Sequence, residues 1–247
     1  MLEDVIKNIQ AVTTNHEMNG GFMMKHRFLV IFCLVFLMSG CAGKMALTKG
    51  QSDIDLSNKS IALLTLKISN QHKPKRQVNL HSVLICPQSE INCKRDLPAY
   101  PGSPYKIYKK EKNSFNEYLL SFALESGAYN IDGFYITYNI PMLVAGVGYG
   151  ELKLETEIKP NSVSYLGHLN ITLREKTGDT EISAGNAIPH MDQSIAGFAS
   201  GTFDIVVEDH FDEDMKSFIS EYPGLQQVKV EKSILPEWIR PENRNKP

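Results

Sequence analysis

Glu151–Arg174, ELKLETEIKPNSVSYLGHLNITLR, is the stretch whose pattern decides the fold class. Glu151, Lys153, Glu155 and Glu157 alternate with Leu152, Leu154, Thr156 and Ile158. A period of two makes an extended strand with one wet and one dry face. In the next run Val163, Tyr165, Leu169, Ile171 and Leu173 share one face, opposite Ser164, His168, Asn170, Thr172 and Arg174. Lys159-Pro160-Asn161-Ser162 between them supplies turn chemistry, so the two runs are expected to pair as a hairpin.

Working outward, Val78–Cys86, Tyr118–Leu124 and Phe203–Glu208 alternate in the same way, while Ile61–Ile68 and Phe134–Ile140 are more continuously apolar and are expected to lie deeper. Gly127 and Gly133 mark bulges or tight turns. Gly146-Val147-Gly148-Tyr149-Gly150 leads into the strand at Glu151 and reads as a mobile hairpin tip or bulge, because a dinucleotide fingerprint must open a helix. One helix stands out at 212–222, where Met215, Phe218, Ile219 and Tyr222 form an apolar stripe. Asp212, Glu213 and Asp214 sit in its first turn, where the helix dipole favours negative charge, and Pro223-Gly224 ends it. The expected fold is mainly β: a single antiparallel β-sandwich over residues 58–235, transthyretin-like or immunoglobulin-like, with this one C-terminal amphipathic helix. Residues 236–247, with three prolines, read as a disordered tail.

The chain has 247 residues, 42% of them hydrophobic and 22% charged, enough apolar content for a sizeable core. Its formal charge of −2 removes the electrostatic case for a nucleic-acid binder. Four cysteines are too few for a disulfide scaffold or a zinc ribbon.

Near the amino terminus Lys25, His26 and Arg27 precede an unbroken apolar run of eleven residues, Phe28 to Met38. A membrane-spanning helix needs roughly 20, so this run reads as a secretory segment and not an anchor. Ser39 and Gly40 then lead to Cys41. The arrangement resembles the bacterial lipoprotein signal, whose lipobox ends in a small pair and an invariant cysteine. Met38-Ser39-Gly40-Cys41 matches the last three positions and carries Met where Leu is usual. The resemblance implies cleavage before Cys41 after a signal peptide at 23–40, lipidation of the Cys41 thiol and acylation of the new amino terminus. Each buried CH₂ adds about 0.8 kcal/mol, so three chains hold a protein more or less permanently. The resemblance also implies a membrane-lipid partner through Cys41. Ala42 behind it favours the outer membrane in a Gram-negative host, and a Gram-positive host would place the chain on its cytoplasmic membrane. Residues 1–22 do not fit a signal peptide and read as an extension upstream of the true start at Met23 or Met24. Residues 41–57 lack sustained periodicity and read as a lipidated tether. The spacing of Gly127-Ala128-Tyr129, Lys159-Pro160-Asn161-Ser162 and Tyr165-Leu166-Gly167 resembles that of uncharacterised β-sandwich envelope lipoproteins, which bring no assigned catalysis.

Candidate chemistry is sparse. Cys86 and Cys93 remain after Cys33 leaves and Cys41 is lipidated, and an exported pair closing so short a loop reads as a disulfide worth roughly 2.5 kcal/mol in the chain-entropy model. Asp209, Asp212, Glu213 and Asp214 lack the spacing of a calcium loop, and helix capping explains them. His72, His81, His168, His190 and His210 form no H-E-x-x-H pair, and His81 and His168 fall on outward strand faces. No catalytic residue, metal site or cofactor is expected. A binding surface, if present, is expected in Gly178–Gly201 or Tyr135–Tyr149. Three readings follow: a non-catalytic interaction or structural module of the cell envelope with a protein partner, an envelope hydrolase with a loop-built site, or a binder of glycans or small ligands.

Overall fold

Each period-two run forms a strand, because alternating side chains bury a single face only on extended backbone. The computed structural model describes residues 45–89, 105–107, 115–140, 143–185 and 194–241. These belong to Gly43–Pro247, one of two units into which the chain divides; the other, Met1–Ala42, lies outside the described residues, and with it the expected extension, signal peptide and Cys41. In chain order the elements are β1 (Ser60–Asn70), β2 (Asn79–Pro87), β3 (Tyr105–Ile107), β4 (Phe115–Leu124), β5 (Gly127–Ile140), β6 (Leu143–Ile158), β7 (Val163–Glu175), β8 (Gly201–Glu208), α1 (Phe211–Glu221) and β9 (Val230–Lys232), with a 3₁₀ turn at Pro223–Gln227 between the last two. Among the described residues the fold is mainly β, in two sheets with one α-helix.

The first sheet has the order β3-β4-β1-β7-β8, with β9 also on β7, and the second is the antiparallel set β2-β5-β6. The first sheet is mixed, which corrects the expectation of antiparallel pairing throughout. β7 runs parallel to both β1 and β9. The cause is a stitch between strand starts. Ser60 Oγ donates to the Lys159 carbonyl at 2.6 Å, Ser162 N donates back to Ser60 Oγ at 3.2 Å, and Ile61 N donates to the Ser162 carbonyl at 2.9 Å. Two strands that start at the same point and head the same way must pair in parallel. The expected hairpin of 151–158 with 163–174 is likewise corrected: β6 pairs with β5 in one sheet and β7 with β1 and β8 in the other. The turn at Lys159–Ser162, with Asn161 at φ +51, is an arch that carries the chain between sheets.

One hydrophobic cluster lies between the sheets. It joins Leu64, Leu66, Leu120, Leu169 and Ile171 of the first sheet to Ile131, Phe134, Ile136, Leu152 and Leu154 of the second. A second cluster covers the other face of the first sheet, where Ile61, Leu63, Leu119, Val163 and Tyr165 meet Met215, Phe218 and Tyr222 of α1. β1 is thus buried on both faces, which is why Ile61–Ile68 reads as a continuous apolar run.

The glycine-rich stretch is no hairpin tip. Gly148 and Gly150 lie inside β6 opposite Ile136 and Phe134. A Cβ on Gly150 would stand 2.3 Å from Phe134 Cζ, so the missing side chain is what lets the ring lie across the neighbouring strand. Two segments expected to be loose are docked. Leu47 is 1% exposed, Ala46 N and Leu47 N donate to the Ser121 carbonyl and hydroxyl, and Gly50 N donates to Glu221 O, so the expected tether is packed from Met45 onward. In the expected tail, Trp238 Nε1 donates to Glu151 O at 3.0 Å while Arg240 bonds Asp204 and Thr202. Residues 236–241 therefore strap the open side between β6 and β8, and 242–247 lie outside the described residues.

Candidate functional site

A bulge sets the site. Leu63 pairs with Tyr165 and Thr65 with His168, so Leu166 and Gly167 together oppose Leu64. Gly167 has φ +119, a conformation that side-chain-bearing residues rarely adopt, and a Cβ there would meet Glu208 O at 3.3 Å. Unbroken alternation puts Tyr165 and His168 on opposite faces; the bulge brings both beneath α1. His168, expected on an outward face, is 4% exposed.

The helix supplies the partner. Its first turn carries Asp212 and Glu213 outward, but Asp214 lies 3% exposed on the buried stripe beside Met215 and Phe218. The Asp214 carboxylate accepts the Tyr165 hydroxyl at 2.6 Å and His168 Nδ1 at 3.1 and 3.2 Å. A carboxylate only accepts, so these contacts place a proton on Nδ1. Burial pushes the Asp214 carboxyl up, yet the hydrogen bonds from His168 and Tyr165 outweigh it and hold the group below the usual carboxylate range. Burial, and next the hydrogen bond to Asp214, push the Tyr165 phenol well above its ordinary range. Asp212 and Glu213 stand in the first turn, where the helix dipole favours negative charge, but the helix has no side-chain cap hydrogen bond, and Asp214 has a different role.

Glu117 joins from β4. It is 4% exposed, and its Oε2 has no hydrogen-bond partner. Glu117, His168 and Asp214 each offer a ligand atom, all within 4.8 Å of one another. Two ionised carboxylates at that separation repel by on the order of 3–4 kcal/mol at an effective dielectric constant of about 20. A second group shares His168: Glu208 and His210 bring ligand atoms within the same span, and the His168 and His210 rings lie 4.6 Å apart. Both of those residues are only half-buried.

A polar groove lies farther along the same face of the sheet. Lys67 lies beside Glu117 on β4 and Asn170 on β7, and with Ser69, Thr172 and Phe115 they line a hollow of roughly 400 Å³. Neither region flagged in the sequence forms this site. Tyr135–Tyr149 belongs to the β5–β6 ladder. Of Gly178–Gly201, Ala184 bridges the two sheets through Tyr149 N and Gly201 O, and residues 186–193 lie outside the described residues.

A separate ion network closes the far end of β7. Arg174 pairs with Glu181 and Asp204, and Arg240 with Asp204. Hydrogen bonding from Arg174 holds the Glu181 carboxyl at about 2, below its ordinary 4.5. A depressed carboxyl adds stability above its unfolded-state value and loses it as pH falls toward the folded-state value. The stability difference between the wild type and Glu181→Gln should therefore shrink as pH drops from about 4.5 toward about 2. Urea midpoints measured across that range check it, and a constant gap counts against the pairing.

The remaining expected site residues are scattered. Cys86 is buried on β2 opposite Asn130, and Cys93 lies outside the described residues with His190. His72 Nε2 lies 2.8 Å from Ser200 Oγ, and His81 is exposed. Asp209 accepts Phe211 N–H and pairs with Lys232. Glu117 and Tyr165 were missed as site residues, and His168 was set aside. The available signals were an acid inside the apolar run of β4 and a glycine inside that of β7. Comparison with protein-family models, curated proteins and solved structures returns no match.

Proposed function

We propose that this chain is a bacterial envelope lipoprotein, lipidated at Cys41, whose body is a β-sandwich of transthyretin-like or immunoglobulin-like type acting as a non-catalytic interaction or structural module. The basic start, eleven-residue apolar run and Ser39-Gly40-Cys41 support the anchor, and Ala42 supports an outer-membrane destination in a Gram-negative host. The observation that carries the module reading is the docking of residues 45–57. With Met45 onward packed on the sheet, only Ala42–Lys44 separate Cys41 from the body. The four Cα–Cα steps from Cys41 to Met45 reach at most about 14 Å, which keeps the body close to the bilayer. That geometry suits a protein partner in or on the same membrane. A Cys86–Cys93 disulfide belongs to the same proposal.

Two measurements test it. Labelled palmitate should enter the wild-type protein and not Cys41→Ser, and the variant should leave the membrane fraction. Crosslinking in cells should recover a defined protein partner for the wild type. Incorporation that survives Cys41→Ser defeats the anchor, and recovery of no partner defeats the interaction reading. The groove beside Glu117 favours a second reading, a glycan or small polar ligand held by Lys67, Ser69, Asn170 and Thr172. Calorimetric binding lost in Asn170→Ala is its test.

A further inference from the structure

We propose that Glu117, His168 and Asp214 form a binding site for a divalent transition-metal ion of the zinc class. The three side chains come from β4, β7 and α1, and every one is at least nine-tenths buried. Buried carboxylates are ordinarily neutralised by an Arg, a Lys or a metal. Among the described residues, neither Glu117 nor Asp214 forms an ion pair with a Lys or Arg; Asp214 faces the His168 ring at 3.1 Å. Two carboxylates and one neutral imidazole carry two negative charges, which one divalent cation balances.

The second observation is the orphaned oxygen. Glu117 Oε2 is shut off from solvent and has no hydrogen-bond partner, in a pocket where His168 and Asp214 present their own ligand atoms within 4.8 Å. A buried acceptor without a donor is costly, and a cation satisfies it directly. The spacing of the other two ligands fits as well. His168 Nδ1 stands 3.1 and 3.2 Å from the Asp214 oxygens. Ligands about 2.0–2.2 Å from a tetrahedral ion lie at about that separation from one another. On metal binding, Nδ1 releases its proton to solvent and Nε2 takes one up, so the ring stays neutral and coordinates through Nδ1, and Asp214 exchanges the imidazole N–H for the ion. Tyr165 keeps its hydrogen bond to Asp214 Oδ2 and holds that carboxylate in place, as outer hydrogen bonds do around metal ligands. One nitrogen with two oxygens suits zinc, cobalt or manganese, and three protein ligands leave a coordination position for water. Lys67, on the rim of the polar groove, is the ladder partner of Glu117, so the groove lies next to the site.

The alternative set, His168 with Glu208 and His210, is half-exposed and contains no orphaned atom. It differs in having two imidazoles, which makes the assignment measurable. Purified full-length protein stripped with chelator is titrated with Co²⁺ and then Zn²⁺. One equivalent of Co²⁺ should develop visible d–d bands that Zn²⁺ abolishes, and Zn²⁺ should raise the thermal midpoint. Glu117→Gln should weaken Co²⁺ binding at least about tenfold, while Glu208→Gln should leave it within about twofold. X-ray absorption on the wild-type zinc form should report one imidazole and oxygen ligands, a readout that stands even if Glu117→Gln fails to fold. Absence of Co²⁺ bands in folded wild-type protein overturns the site. So does a two-imidazole shell, or binding that Glu117→Gln leaves intact.

Discussion

Replacing Asp214 with alanine is expected to lower the unfolding free energy by about 3–5 kcal/mol, measured by urea denaturation with chelator present. Asp214 is 3% exposed and is the acceptor for both the Tyr165 hydroxyl and His168 Nδ1. Removing it strands two buried donors at once, and each stranded donor forfeits its hydrogen bond while remaining out of water. Asp214→Asn should cost less, because its amide oxygen still accepts from Tyr165. Asp212→Ala and Glu213→Ala, on exposed first-turn positions, should stay within about 1 kcal/mol, the range of helix-dipole effects. A loss below about 1 kcal/mol for Asp214→Ala means the cluster does not brace the helix against the sheet.

Phe218→Ala is expected to cost about 3–5 kcal/mol as well, by a different mechanism. Phe218 is 0% exposed and sits in the cluster where α1 covers Ile61, Leu63, Leu119 and Tyr165. Truncation leaves a cavity that the sheet, held by its own ladder on either side, closes only in part. For a chain of this size each kcal/mol moves the melting temperature by about 2–4 °C, so a fall of about 6–20 °C should appear by calorimetry. The half-buried Ile219, one residue on, provides the comparison. Equal effects at the two positions are incompatible with a helix that buries one defined stripe.

The two variants separate what was legible from what was not. The stripe of Met215, Phe218, Ile219 and Tyr222 is readable because helical periodicity marks which side is dry, and the structure buries Met215, Phe218 and Tyr222 on it. Asp214 breaks the reading. It occupies a position that capping chemistry explains, and only its facing strand reveals that it points inward. His168 failed for a related reason: alternation counted from Val163 through Leu173 is broken by the extra residue at Gly167, which reverses the faces after it. The acid Glu117 shares its side of β4 with Phe115, Leu119, Ser121 and Ala123, yet its two partners sit on β7 and α1, and no spacing within β4 announces them.

The amino-acid sequence by itself determines where the strands and the helix lie, because periodicity is a local property of each segment. The proposed secretory signature before Cys41 likewise rests on order along the chain alone. Only the tertiary structure decides which sheet each strand joins. A run such as Leu152–Ile158 specifies that one face is dry but not which strand lies beside it, so the turn at Lys159–Ser162 reads equally as a hairpin or as an arch between sheets. The same indifference hid the docking of Leu47 and Trp238, whose partners lie far along the chain. It hid the His168–Asp214–Glu117 cluster most completely, because three ionisable groups from three elements meet only once the bulge at Gly167 and the packing of α1 have both formed.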